Sequence, residues 1–390
     1  MYAVSSGFAS TAARSNAPWR RRFTLGGSDY TSKVLKWPKI VNKWNDIKPG
    51  TMTIGLANED RLFNFFLSSP TTLKNSGLVQ LGFEYAVGSE EFITLFQGQV
   101  DAVRLREGEC SITLADKFKL LSDRIVGDQT TPTNYVGSSY LVHDIAWYLC
   151  TSHGGLSAIQ STSNPDIDWA SFNSWSSVFS ADNTRVKAQF KGGKINTMLK
   201  RVSDMTQSAI RIENNKVKFN RFTIADTIAA TLNDSTVMES DLTIDERAII
   251  NRVAVSADYN TTSDSFVIKV VAATSSSINS YSLKEELFDD ADIWFVDSVS
   301  ALNLAQRLLT MYDEPFGQLQ VKSALSGIVA TVGDTISFVD SFYGLNRSYR
   351  VMEHEVELDA GTTSYKIDDS QLVVPFTLDV SLLDGTDILA

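Results

Sequence analysis

The sequence predicts a mainly β protein with an α+β insert: two β domains flank a mixed middle domain. Three observations predict this. First, VRLREGECSITLAD (103–116) and VELDAGTTSYKIDD (356–369) share the template V-x-L-x-x-G-x-x-x-[IY]-x-[LI]-x-D at a constant offset of 253 residues. Second, alternating, β-prone runs fill the first 125 residues and return after about 240. Third, helical spacing of apolar residues is concentrated between them. The expected domains are 1–125, 126–225 and 226–390, the last carrying one helix at about 298–313.

Each copy of the template reads as a hairpin. Val103 and Leu105 alternate with Arg104 and Arg106, so one face of the strand is buried and the other wet. Gly108 supplies the permissive φ of a tight turn, and Ile112 and Leu114 lead back. Val356, Leu358, Gly361, Tyr365 and Ile367 repeat the pattern. Two hairpins can look alike by accident. They can also be the trace of an internal duplication.

Along the first domain, GTMTIGLAN alternates through Met52, Ile54 and Leu56, and EEFITLFQGQVDAV runs into the first hairpin. Pro38, Pro49 and Pro70 punctuate the strands as loops do. In the middle, Leu141, Ile145 and Leu149 mark an amphipathic helix with Ser139 available as its cap. Residues 151–185 are rich in Ser, Asn, Asp and Trp, and read as an irregular or short-helical surface segment. Ile195, Leu199, Val202 and Met205 lie on one helical face after Gly193. Asn214-Asn215 joins two alternating strands, because Asn tolerates the positive φ of a primed turn. In the last domain NRVAVSADYN and SFVIKVVAA are strands. The helix through Leu302, Ala305, Leu309 and Tyr312 is capped by Asp297 or Ser298 and ended by Pro315. DTISFVD, SYRVMEHEVEL, SYKI and QLVVPFTLDVSL complete the strands.

Bulk properties set outer bounds. At 390 residues the chain is long for one core. No run approaches the roughly 18 apolar residues of a membrane span, so stable membrane insertion is not expected. Two cysteines, Cys110 and Cys150, are too few for a disulfide framework and are expected to be reduced and at least partly buried. A net charge of −11 argues against tight binding to nucleic-acid phosphates. It is compatible with an acidic passage along which DNA slides.

Catalytic patterns are sparse, and no cofactor or metal is expected. His143 and Asp144 suit a helix surface, His153 suits a helix end, and His354 faces away from Glu353 and Glu355. KGGKI (191–195) fails the phosphate-loop template, since Ile195 stands where a Ser or Thr should ligate magnesium. Asp166 and Asp168 beside Trp169 and Trp175 raise a sugar-binding or glycosidase reading, because two carboxylates and an aromatic platform suffice for it. The simpler reading of the same residues is helix caps and a loop pinned to a core. KEELFDDAD (284–292) reads as a solvated acidic segment.

Two regions resemble a known family. SDYTSKVLKWPKIVNKWNDIKPGTMTIGLANED resembles the opening domain of tail proteins of long-tailed bacteriophages. NRVAVSADYN, ALNLAQRLLTMYDEPFGQLQV and VGDTISFVDSFYGLNRSYRVMEHEVEL resemble the C-terminal half of phage baseplate hub proteins. The matched positions are Tyr312, Pro315, Val332, Gly333, Asp334, Ile336, Tyr349, Arg350 and Val351. The middle segment matches in size and position alone.

The resemblance implies two hub-type β-barrels per chain, three chains per ring, and a non-catalytic structural role at the virion's tail tip or baseplate, assembled in the host cytoplasm. Such a homotrimer joins the sixfold tail tube, with its distal tail or tube rings above, to threefold tip or fibre proteins below. Genome and tape measure pass through its lumen without specific binding, and Asp101 and Glu107 are candidates for lining it. Other readings stay open: a receptor- or glycan-binding tail protein using Trp147, Trp169 and Trp175, a sixfold distal tail ring, or a muralytic glycosidase using Asp166 and Asp168.

Overall fold

The computed structural model describes residues 4–12, 18–44, 47–69, 74–221, 228–244, 249–313, 317–325, 328 and 330–368. It is mainly β with an α+β insert. The first sheet has seven antiparallel strands in the spatial order Ser28–Asp29, Arg20–Leu25, Ser76–Ala86, Ser89–Arg106, Glu109–Ala115, Thr51–Ala57 and Val34–Lys36. Alternation decides its inner face. Met52, Ile54 and Leu56 are buried with Phe23, Val79, Leu81 and Phe83, while Thr51 and Thr53 stay exposed.

A second sheet near the other end runs Ile228–Asn233, Thr335–Asp340, Leu345–Glu357, Thr362–Asp368, Gly317–Ala324 and Val237–Ile244. The two sheets share one plan. Setting aside the two-residue Ser28–Asp29, the first strand of each lies to one side and the second at the opposite edge. The third lies next to the second, and the last three form a meander between. One difference breaks the match. Arg20–Leu25 is antiparallel to its neighbour, whereas Ile228–Asn233 is parallel to Thr335–Asp340.

The repeated hairpins sit in equivalent places in this plan. Their ladders agree pair by pair. In the first, five pairs run from Arg106↔Glu109 to Ala102↔Thr113, a bulge follows at Asp101, and Val100↔Leu114 and Gln99↔Ala115 complete it. In the second, five pairs run from Glu357↔Thr362 to Glu353↔Lys366, the bulge is at Met352, and Val351↔Ile367 and Arg350↔Asp368 complete it. The returning strands keep the offset of 253 seen in the sequence. The outgoing strands match at 251, because the second loop, 358–361, is two residues longer than Glu107-Gly108. Side chains alternate with period two, so the shift leaves every residue on its proper face. Gly108 and Gly361 have φ of 77° and 69°, which is why each loop needs a glycine.

A mixed unit completes the fold. Its sheet runs Thr133–Leu141, Arg185–Phe190, Ile293–Phe295, Arg252–Asn260 and Ser265–Ala273, with Glu285–Phe288 parallel to Arg252–Asn260. Helices Val142–Tyr148, Trp169–Ala181, Ile195–Thr206 and Ser298–Tyr312 share its core. The strands at 252–273 and the helix at 298–312, grouped by the sequence with the last domain, thus lie in the middle sheet and its core. The chain leaves the second repeat after Val237–Ile244, builds half of the middle unit, and returns at Gly317. Alternation announces a strand but not the sheet it joins.

The Ser- and Trp-rich stretch also differs from expectation. It contains a 13-residue helix, Trp169–Ala181. Phe172, Trp175 and Phe179 form its buried stripe, and the serines that suggested a loop lie mostly on its outer side. Trp175 is 2% exposed, packs within 6 Å of Phe172, Phe179 and Phe219, and donates from Nε1 to Ser208 Oγ at 2.9 Å. In the acidic segment, Glu285–Phe288 is a strand on which Glu285, Glu286 and Leu287 stay exposed, and Asp290 and Asp292 both pair with Arg201. Cys110 and Cys150 are free and buried, and burial pushes their thiols up to about 11 and about 12.

Truncating Trp175 to Ala should cost about 3–5 kcal/mol, the range for a large aromatic removed from a packed core. Denaturant unfolding of the full chain measures it. A loss below about 1 kcal/mol would mean the ring is not central to this core.

Candidate functional site

The two repeats meet along a seam made by one short strand. Lys39–Lys43 leaves the first repeat and adds to the second sheet, antiparallel to Leu345–Glu357. The geometry leaves room for it. Thr335–Asp340 covers one side of that long strand only from Leu345 to Arg350. On the same side, residues 353–357 take Lys39–Lys43.

Alternation sorts the seam into two faces. On one, Glu353, Glu355 and Glu357 meet Lys43 and Lys39: Lys39 Nζ lies 2.6 Å from Glu355 and 3.4 Å from Glu357, and Lys43 Nζ lies 3.2 Å from Glu353. The hydrogen bond to Glu355 raises the Lys39 pKa, with Glu357 adding to it. On the other face, Ile40 and Val356 are 3% and 1% exposed and join the core of the first sheet, with Leu325, Ile328 and Leu358. Exposed ion pairs contribute about 0–1 kcal/mol each, whereas burying an Ile contributes about 1.5–3 kcal/mol. Burial therefore supplies most of the adhesion and the charges select the register. The tip of the second hairpin closes the seam. Arg21 donates to the Leu358 carbonyl at 3.2 Å and pairs with Asp359 at 2.8 Å, while the Trp37 N–H donates to Asp359 at 3.2 Å.

A second joint ties the middle unit to the same sheet. Gly333 has φ of 87°, and a Cβ there would lie 2.7 Å from Arg211 Nη1. Its N–H donates to the Val351 carbonyl, and the Val351 N–H donates to the Asp334 carbonyl, each at 2.9 Å. The Thr331 N–H donates to the Asp334 carboxylate at 2.8 Å. Arg350 is wholly buried and donates from Nη1 to the Gly333 carbonyl at 2.9 Å. The V-G-D and Y-R-V positions of the resemblance are thus one hydrogen-bonded corner. Pro315, from the same set, lies outside the described residues. Arg211 comes from the hairpin turned by Asn214 and Asn215, both at positive φ, and pairs with Glu213 at 2.7 Å. Burial alone would raise the Glu213 carboxyl, but Arg211 and Lys218 hold it down to about 2.

The expected site residues are dispersed. Asp168 caps the helix Trp169–Ala181, accepting from the Ser171 N–H at 3.1 Å. Asp166 pairs with Lys117 at 2.6 Å and accepts from the Ser157 N–H at 2.7 Å; against the effect of burial, these lower its pKa. Trp169 packs on Trp147 and Phe172 at the edge of the core, and Trp175 lies inside it. Asp101 is the exposed bulge residue, 3.8 Å from Lys119, and Glu107 is exposed at the hairpin tip between Arg106 and Gly108. His143 is more enclosed than a surface residue, its side chain 14% exposed and 3.7 Å from Asp144. His153 meets the Tyr135 hydroxyl at 2.8 Å. His354 is fully buried, stacked on Tyr365 and 2.9 Å from Thr363 Oγ1. Sequence reasoning missed the seam strand. Its signal was present: K-x-x-x-K in one stretch faces E-x-E-x-E in another.

The fold is shared with tail proteins, two of them from prophages. The tail protein of Neisseria meningitidis MC58 is 14% identical, with 92% of this chain and 98% of that chain covered at a TM-score of 0.59. The 43 kDa tail protein of prophage MuSo2 from Shewanella oneidensis is 14% identical, with 90% and 99% covered at 0.55. Prophage tail protein gp18 from Listeria monocytogenes EGD-e is 11% identical, with 90% and 94% covered at 0.50. No family model and no curated protein matches the chain. The chain has the architecture of these tail proteins over nearly its whole length.

Two outcomes are expected, one from the corner and one from the long strand of the seam. Gly333→Ala should destabilise the chain by about 1–3 kcal/mol from the left-handed backbone alone, with more from the crowded Arg211, read by denaturant midpoint. The buried imidazole of His354 is pushed down to about 3, so the native state stays neutral where the unfolded chain takes up a proton. Its contribution is complete above pH 6.5 and is lost as pH falls below that value towards 3. Between pH 6.5 and about 5, above the range of most carboxylates, His354→Gln should flatten the fall in unfolding free energy. An unchanged slope would remove His354 as its source.

Proposed function

We propose that the chain is a structural subunit of a long-tailed phage tail: the hub of the tail tip or baseplate, working as a homotrimer. The observation that carries this reading is the duplicated sheet, with its matching ladder and bulge. Three copies of a chain with two like sheets present six like units in a ring. Such a ring mates with a sixfold tube on one side and a threefold tip on the other. Distal tail or tube rings would sit above and tip or fibre proteins below. The genome and tape measure would pass through the centre.

The role is assembly rather than catalysis. Asp166 and Asp168, the carboxylates that a glycosidase would need free, are already paired to Lys117 and to a helix N-terminus. Location in the virion tail, after assembly in the host cytoplasm, follows from the same reading.

Light scattering and negative-stain microscopy of the purified chain test it. A threefold ring with a central hole is expected. A sixfold ring would move the chain to the distal tail position instead.

A further inference from the structure

The ladder match exposes an asymmetry between the repeats. In the second repeat, residues 353–357 of the long strand are paired on both sides. Their equivalents in the first repeat, Ala102–Arg106, are paired on one. Ser76–Ala86 pairs with the strand Ser89–Arg106 as far as Gln99 and the Asn75 carbonyl accepts from the Val100 N–H at 3.0 Å on the same side, while Glu109–Ala115 takes the other side. Among the described residues, no strand pairs with the remaining edge, where Lys39–Lys43 would be expected by analogy. Ala102, Arg104 and Arg106 are exposed there, and Val103 and Leu105 are half-buried. A bare strand edge invites pairing with another chain.

The charges at the two edges are opposite. The outgoing strands match at an offset of 251, so Arg104 stands where the second repeat has Glu355, and Arg106 where it has Glu357. Neither arginine has an ion-pair partner among the described residues. The occupied seam joins lysines from the first repeat to glutamates of the second. The bare edge therefore needs carboxylates, and the second repeat presents them. Its edge strand Val237–Ile244 occupies the place in the plan that Val34–Lys36, just before Lys39–Lys43, holds in the first. It carries Glu239 and Asp241 two residues apart, both exposed and without ion-pair partners among the described residues. Met238 and Ile244 on the same strand are 66% and 68% exposed.

We propose that Ala102–Arg106 is an interface with a second copy of the chain, whose strand Val237–Ile244 sets Glu239 and Asp241 against Arg104 and Arg106. The inference rests on the ring reading and adds its contact. The seam inside the chain is repeated between chains with its charges reversed. The reversal keeps the two seams distinct: the lysine strand is repelled by the arginine edge, and the acidic strand by the glutamate edge. The contact is head-to-tail, because the two patches differ, and such contacts close into rings when the rotation permits.

Charge exchange tests it in the full chain. Arg104→Glu with Arg106→Glu, and separately Glu239→Lys with Asp241→Lys, should each weaken association at least about tenfold by light scattering at fixed ionic strength. The thermal midpoints should stay near wild type, because all four side chains are exposed in the single chain. Combining the four substitutions restores opposite charges and should restore the ring. A wild-type ring that tolerates both reversals, or a fourfold variant that remains dissociated, overturns the interface and leaves the ring reading intact. A wild-type chain that stays monomeric at every concentration overturns the ring reading and the interface with it.

Discussion

The architecture depends on one addition of β-strand to β-sheet. Lys39–Lys43 belongs by chain order to the first repeat and by hydrogen bonding to the second sheet. Five residues fix the relation of two seven-stranded sheets that are otherwise hundreds of residues apart. A ladder suits this task because its register is discrete. Slipping by one residue would turn Ile40 out of the shared core and bring the lysines in. Slipping by two would keep the faces but move Lys39 and Lys43 away from the glutamates they meet. The apolar face thus excludes odd slips and the charged face disfavours even ones. Neither face alone specifies the joint.

The second joint works differently. Around Gly333 the contacts are buried, and the polar groups are held by backbone carbonyls and carboxylates. A buried guanidinium is tolerated only when it is hydrogen-bonded, so Arg350 binds the corner to one conformation more than it adds stability. Arg211 lies over Gly333 from the middle unit and is paired to Glu213. The middle unit therefore meets the second sheet through a desolvated charge, and the first sheet meets it through an apolar strand and a solvated charge face. Of the two, the buried corner is the stiffer, since losing one partner there strands another in a dry site.

Much of this was legible in the sequence, and the remainder has identifiable causes. Local signals were strong where one side chain dictates backbone shape: Asn214-Asn215 at a primed turn, Gly108 and Gly361 in the hairpin loops, and Ile195 to Thr206 along a helix. They failed where composition outweighed spacing. Phe172, Trp175 and Phe179 already stood three and four residues apart, but the intervening serines suggested a loop. Nor can periodicity assign a strand to a sheet, so Arg252–Asn260 and Ser265–Ala273 were grouped with the nearest β-rich neighbours in sequence. Of the candidate site residues, Asp168 and Trp175 were legible in their bland reading as cap and anchor. The seam and the place of Arg211 over Gly333 were not, because they bring together residues about 120 to 320 positions apart.

The hairpins show what the two repeats share. Aligning the two glycines equates Val103 with Val356, and the alternation looks right, yet the hydrogen bonds equate Val103 with His354. Both alignments keep the faces in step, since they differ by two residues, and so hydrophobic pattern alone cannot choose between them. The bulge can. A single unpaired residue five pairs from the loop re-aims the strand, and moving it in one copy alone would twist that sheet away from the shared plan. The loop faces no such constraint and is two residues longer in the second repeat, where its Leu358 and Asp359 meet Arg21 and Trp37. Ladder and bulge are thus the conserved unit of the repeat. The loop is the part left free to make contacts, and in the second copy those contacts bind one repeat to the other within the chain.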